Sequence, residues 1–372
     1  MFSANPGFFS SRLNRVFSSK LGFLTGSEPH MQEGHRVTFT GPLQAVLEPF
    51  RRDEELGNGQ VLVKTVYSII SAGTEGAHYS GLEAEHPALG DRPFTYPMQT
   101  GYGNYGEIIA LGDNCGDLRA GDRVLSFSNH ASHVKVDATR FCLKTPSELD
   151  GKKAVFTRMA GVAITALRAA SISPGDKVLV IGLGLVGNFA AQLFRLAGAE
   201  VMGVDLSNYR IQVAKQCGIE NAINPGDTQI EGAVMDWTGG RGADISVEAI
   251  GKSELVAQAV QMTRRKGEVI LLGSPRARVT MDVTPMLSRI HLLGIRLIGA
   301  LEWLYTIPDT DDSKHSITRN YQQILGWIES GALKTDPLLT HLLSPVACQN
   351  AYLGLHERKD TYLGVVFDWS QL

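Results

Sequence analysis

The chain has 372 residues, enough for two domains of ordinary size, each with its own core. With 43% hydrophobic and 20% charged residues and a net charge of −3, it reads as globular, with no general pull toward nucleic acid or an anionic membrane. Its four cysteines, Cys115, Cys142, Cys217 and Cys348, lie far apart without a C-x-x-C pair. That spacing argues against a zinc ribbon or a disulfide framework and suits a reducing cytoplasm.

Residues 1–30 carry Arg12, Arg15 and Lys20 among several Ser and Phe, with no acid before Glu28. Three readings fit: an organelle-targeting segment, a disordered leader, or translation that starts at Met31. From Arg36 to about Pro146 the pattern is short β-type runs between Gly and Pro turns, as in Arg36–Phe39, Gln60–Val66, Gly106–Ala110, Asp122–Phe127 and His133–Val136. Between about Ala160 and Ala300, buried strands alternate with amphipathic helices. Val178–Ile181, Val201–Asp205, Ile245–Ala249 and Val269–Leu272 read as parallel strands, and Asn208–Cys217 and Ser253–Arg264 as crossover helices. Gly218 supplies a helix stop. The closing part offers a helix over Arg319–Ser330 and an extended run over Leu363–Phe367. The expected architecture is α/β: a β-rich domain over 31–159, a doubly wound parallel-sheet domain over 160–300, and a C-terminal return over 301–372.

The longest apolar stretch, Val178 to Phe194, is interrupted at Gly182, Gly184, Gly187 and Asn188, so it does not read as a membrane span. Those glycines instead form a G-x-G-x-x-G turn directly after a strand and directly before a helix. In that context Gly182, Leu183, Gly184, Leu185, Val186 and Gly187 form a backbone cradle for a diphosphate at a helix N-terminus. Asp205 ends the next strand, where a ribose-binding carboxylate belongs. A 2′-phosphate beside Asp205 would meet like-charge repulsion, so the expected cofactor is NAD(H). Ile250, Gly273 and Ser274 follow the carboxyl ends of later strands, the edge that lines the ligand crevice in such sheets. His130 and His133 form an H-x-x-H pair, with strand entry as the plainer reading; no third ligand is evident, and the expected metal is none.

Several stretches are similar to the medium-chain dehydrogenase/reductase superfamily, the alcohol-dehydrogenase-like fold, over nearly the whole length after Met31. They are Val61–Lys64, Gly121-Asp122-Arg123-Val124, Pro174-Gly175-Asp176-Lys177-Val178 leading into the glycine turn, Leu339-Thr340-His341 and Gly364–Phe367. The resemblance implies a GroES-like catalytic domain, a Rossmann domain and a cofactor cleft between them. Its zinc positions are altered here: Ala72 stands where a Cys is usual, Gly101-Tyr102-Gly103 replaces a Gly-His-Glu turn, and the third position falls near Met159. The lobe that holds a structural zinc is missing. A zinc-independent member is therefore expected. Ser71-Ala72-Gly73-Thr74-Glu75 with Gly101-Tyr102 further resembles bacteriochlorophyllide dehydrogenase-like proteins.

By this resemblance Thr74 passes a proton from the substrate alcohol, or simply caps its turn. Tyr102, in the vacated His position, donates to a carbonyl oxygen or packs into the void. Arg210 lies where the family often has a cation near the adenosine ribose, or is a solvated helix charge. Glu75 is expected to pair with a cation behind the site, and His78 to lie at the surface or extend the relay. The resemblance also implies a homodimer formed through an edge strand near Ile295–Ile298. The expected activity is hydride transfer between nicotinamide and a secondary alcohol or ketone, a small-molecule substrate; reduction of an activated C=C bond in a quinone or enone and a non-catalytic NAD(H)-binding protein are the alternatives.

Overall fold

The computed structural model describes residues 31–53, 55–82 and 95–372. The N-terminal leader lies outside the described residues.

The N-terminal part contains β1 (Met31–Gly41), β2 (Gln44–Asp53), β3 (Gln60–Ile69), β4 (Met98–Gln99), β5 (Asn104–Leu111), β6 (Arg123–Ser126), β7 (His133–Asp137) and β8 (Leu143–Lys144). β1 buries Val37 and Phe39 and pairs antiparallel with β2. Sequence pattern did not signal β2. Ala45 is its one buried side chain, so it has no apolar face to read. β3 is the hub of a second, seven-stranded sheet: it pairs with β5 and β7, and with a strand from the far end of the chain.

The next six strands are β9 (Lys177–Ile181), β10 (Glu200–Val204), β11 (Asn221–Ile223), β12 (Ala243–Glu248), β13 (Thr263–Leu271) and β14 (Arg296–Gly299). They form one parallel sheet in the order β11-β10-β9-β12-β13-β14. This is the doubly wound order, which reverses direction between β9 and β12 and opens a crevice at their carboxyl ends. The glycine turn follows β9, at that switch point. Last come β15 (Leu339–Leu343) and β16 (Gly364–Asp368), and β16 pairs antiparallel with β3 through Val366↔Ile69. β15 and β16 thus extend the sheet built on β3. The fold is α/β, with a GroES-like β-rich part and a Rossmann sheet. Among the described residues, no helix is long and apolar enough to cross a membrane.

Two expected helices have different ends. Ser253–Arg264 is helical only to Met262, and Thr263 opens β13. The Thr263 hydroxyl bonds to the Ala259 carbonyl and lies 2.8 Å from the Ser246 hydroxyl, which draws the backbone into the sheet. The helix expected over Arg319–Ser330 runs from Ile317 to Glu329. It starts early because buried Ser316 caps it, its hydroxyl accepting from the Arg319 N–H at 3.1 Å. Ser316→Ala should therefore lower stability by about 1 kcal/mol, measured by urea unfolding, without changing the helical content of the folded protein.

Candidate active site

The turn after β9 is built by what its glycines lack. Gly182 has φ of +96°, and a Cβ there would lie 2.4 Å from Ile250 Cγ1. A Cβ on Gly187 would stand 1.9 Å from the Gly182 carbonyl oxygen, so the helix Leu185–Leu196 can approach the strand only through a glycine. Gly184 caps that helix without a side chain over its first N–H groups. Gly184, Leu185, Val186 and Gly187 face a cleft of about 290 Å³. Gly182 sits behind it. Leu183 departs from the expectation: its side chain is fully buried, and its N–H donates to Asp205 Oδ2 at 2.8 Å.

Asp205 is held from two sides, since its Oδ1 accepts from the Ser207 N–H at 2.9 Å. Arg210 reaches back to it, with Nη1 3.6 Å from Oδ2. The Arg210 Nε is buried and has no hydrogen-bond partner. A buried donor of this kind lacks its usual compensation and suits an incoming anion. Arg210 lines the cleft beside Gly184–Gly187.

Ile250, Gly273 and Ser274 reach the same cleft. Their loops are fixed by Glu248, a residue that strand-end reasoning passed over. Its buried carboxylate accepts from the N–H groups of Ile250 and Gly251, both at 2.9 Å, and its carbonyl accepts from Gly273 N–H at 2.8 Å. Burial raises its pKa above the usual glutamate value despite those bonds.

The opposite wall is made by Ser71–Thr74, Tyr102, Met159 and Val162. The Tyr102 hydroxyl donates to Ser71 Oγ in a short hydrogen bond. Burial pushes the phenol pKa up; Arg158, Ser71 and Thr74 pull against that, and the Glu75 carboxylate adds to it. The phenol therefore keeps its proton. Thr74 opens the helix Thr74–Ser80, and its hydroxyl lies 3.4 Å from Arg276 Nη2. Arg276 also lines the cleft, and Arg158 lies against the Tyr102 ring; neither is picked out as a site residue by the sequence. The one signal for Arg158 is a charge in the first turn of the apolar helix Thr157–Ala169, whose other charge, Arg168, lies in the last turn.

Glu75 lies beneath the wall and is fully buried. Its Oε1 accepts from the Ser71 N–H at 2.8 Å, and its Oε2 from the hydroxyls of Thr100 (2.9 Å) and Tyr352 (2.5 Å). The residue paired with Glu75 behind the site is His130, whose Nε2 is 3.0 Å from the same oxygen. Burial raises the Glu75 pKa, but His130, Tyr352 and Ser71 outweigh it, and the carboxyl ends below its ordinary value. The other His130 nitrogen is 2.8 Å from the Ser68 hydroxyl, so neither nitrogen is left for a metal shared with His133. Half-buried His78 accepts the Tyr96 hydroxyl at its carbonyl.

The positions matched to zinc ligands hold Ala72, Tyr102 and Met159, none of them a thiolate, imidazole or carboxylate. Among the described residues, no three His, Cys, Asp or Glu gather in a way that could hold a metal ion. The side chains at these positions do not fit zinc.

The family described as zinc-binding dehydrogenase matches residues 186–309. D-guloside 3-dehydrogenase of Escherichia coli K12 is 27% identical over 353 residues, covering 89% of this chain and 99% of its own length. Sorbitol dehydrogenase of Halalkalibacterium halodurans is 27% identical over 287 residues, 62% of this chain and 83% of its own. A solved structure from Escherichia coli CFT073, described as a short chain alcohol dehydrogenase complexed with cofactor NADH, aligns with a TM-score of 0.73 at 18% identity, covering 91% of this chain and 99% of that one. At that identity the likeness speaks for the fold alone.

Removing one partner of a buried charge pair is costly, so Glu75→Gln should destabilise the protein by about 3 kcal/mol at neutral pH. A carboxylate with a depressed folded-state pKa contributes stability above its unfolded value and loses it as pH falls through the folded one. The gap between wild type and variant in urea unfolding should hold above the ordinary glutamate value of 4.5 and narrow below it. A gap independent of pH would show that Glu75 acts through packing alone.

Proposed function

We propose, on the premise that the chain belongs to the medium-chain dehydrogenase/reductase superfamily, that it is a zinc-independent, NAD(H)-dependent oxidoreductase for a secondary alcohol and its ketone. The observation that carries this reading is the pairing across one cleft of a glycine-turn cradle with a protonated phenol at a vacated metal position. The alcohol and polyol dehydrogenases among its relatives support an oxidoreductase acting on alcohols.

The N–H groups at the start of the helix Leu185–Leu196 and the unpartnered Arg210 Nε would hold the diphosphate. The fixed Asp205 carboxylate would take the ribose hydroxyls. It disfavours a 2′-phosphate, since two unit charges about 4 Å apart repel by roughly 4 kcal/mol at an effective dielectric near 20. The bound nicotinamide supplies or accepts the hydride. Tyr102 gives its one proton to the ketone oxygen, where a metal would otherwise polarise it, and the Ser71 hydroxyl, which accepts that proton when no substrate is bound, then turns to donate to the phenol oxygen and orient it. Thr74, beside the phenol, moves the proton between substrate and solvent. Unpaired cysteines at all four positions fit a cytoplasmic setting.

The exposed edge β14 carries Leu297, and the preceding helix Thr284–Leu293 has no buried residue and exposes Leu287 and Leu292. We read this face as the contact of a homodimer, because an open edge flanked by apolar side chains invites pairing. Leu297→Lys should then shift the protein from dimer to monomer in sedimentation; a wild-type monomer would remove the assignment.

Activity should be assayed on a panel of secondary alcohols with NAD and NADP, before and after chelation, with products identified. The expected result is ketone formation with NAD preferred and no loss on chelation, and a 10²- to 10³-fold fall in kcat for Tyr102→Phe. Stoichiometric zinc in the active protein, or turnover unchanged in both Tyr102→Phe and Thr74→Ala, would overturn the reading. Saturation of an enone would assign C=C reduction instead.

A further inference from the structure

The vacated metal position contains a second feature besides Tyr102. Arg158 is 3% exposed, and its guanidinium carbon lies 4.6 Å from the centroid of the Tyr102 ring. Its Nε donates to the Tyr102 carbonyl at 3.1 Å, while Nη1 donates to Glu302 Oε1 at 2.9 Å and to the Tyr321 hydroxyl oxygen at 2.6 Å. The pair with Glu302 is itself buried, Nη1 standing 2.7 Å from Oε2.

Burying a guanidinium is unfavourable unless it is paired and hydrogen-bonded. Here the backbone is cut away to admit it. A Cβ on Gly103 would lie 2.8 Å from Arg158 Cγ, and one on Gly161 would lie 2.3 Å from the Tyr321 ring. Gly103 stands in the turn whose family counterpart has a Glu, so the missing side chain makes the room that Arg158 fills. Burial opposes the Arg158 charge, but Tyr321, Glu302 and Tyr102 more than compensate, and the group stays protonated.

We propose that Arg158 is a positioning residue that replaces the metal electrostatically: its fixed charge holds the Tyr102 ring toward the cleft and stabilises the phenolate formed when Tyr102 gives up its proton. This rests on the reading of Tyr102 as proton donor. In the reductive direction the phenol O–H bond breaks and leaves its electron pair on the phenolate oxygen. The ketone oxygen takes that proton and its carbon takes the hydride, and the phenol is reprotonated from solvent through Thr74. The charged and titratable groups around the phenol are Arg158 on the helix Thr157–Ala169, Glu75 on the helix below, and Arg276, which reaches Thr74 from the loop after β13. Of these, Arg158 is the cation set against the ring itself.

The test uses the full chain with 3,5-difluorotyrosine at position 102, whose more acidic phenol titrates within a usable pH range, read by fluorine NMR. Arg158→Met should raise the titration midpoint by about one pH unit or more. Arg158→Lys, which keeps the charge, should return most of that shift. Glu302→Gln, which removes the counter-charge and keeps a hydrogen-bonding group, should move the midpoint down. That opposite sign is not expected of a merely structural role. A midpoint unchanged in both Arg158→Met and Glu302→Gln overturns the proposal; if Arg158→Met does not fold, an unchanged Glu302→Gln midpoint overturns it alone. Turnover of Tyr102→Phe decides the donor role separately, so the two readings fail on different measurements.

Discussion

A single buried carboxylate holds the candidate catalytic wall together. Glu75 takes hydrogen bonds or an ion pair from Ser71, Thr100, His130 and Tyr352, which come from a loop, a strand end, a second loop and the C-terminal helix Cys348–Glu357. Each acceptor position is filled from a different stretch of chain, so the wall forms only when the N- and C-terminal parts have come together. A buried charge satisfied in this way resists small displacements, because losing any one bond exposes the desolvation cost of the whole group. Its effect reaches Tyr102 through one residue: Ser71 gives its N–H to Glu75 and its hydroxyl oxygen to the phenol.

The facing wall relies on backbone rather than on charge. Gly182 and Gly187 bring strand and helix within van der Waals contact, and Glu248 anchors both later loops. The cleft is thus rigid on both sides for different reasons. One side is fixed by steric necessity in a turn, the other by an electrostatic hub under a helix.

This difference explains what is legible in the sequence. Glycine spacing, a strand-terminal acid and Val/Ile-rich runs are local signals, and they are enough to locate β9, β10, β12 and the turn. The hidden features are those with distant partners. Arg158 finds Glu302 and Tyr321, 144 and 163 positions along the chain, and no pattern around Arg158 encodes those partners. His130 and His133 look like one pair because they are close in sequence. One is buried on Glu75 and Ser68, whereas the other is half-buried beside Ser132, with its pKa lowered first by burial and then by Lys64 and Arg52. Strand β2 is hidden for the opposite reason: its pairing is local, but its side chains carry no apolar alternation.

Glu75 and Arg158, both buried, also act on Tyr102 with opposite sign. The Glu75 carboxylate disfavours a phenolate, and the Arg158 guanidinium favours one. The Arg158 guanidinium carbon lies 4.6 Å from the ring centroid, and Glu302 cancels part of its field. Burial disfavours proton loss from the phenol, and the guanidinium pulls against it. With both groups present the phenol stays protonated while the phenolate keeps a stabilising neighbour. A metal achieves the same compromise by polarising a ligand directly. Here it depends on the Arg158–Glu302 ion pair and on the hydrogen-bonded Glu75 carboxylate, set on either side of a neutral group.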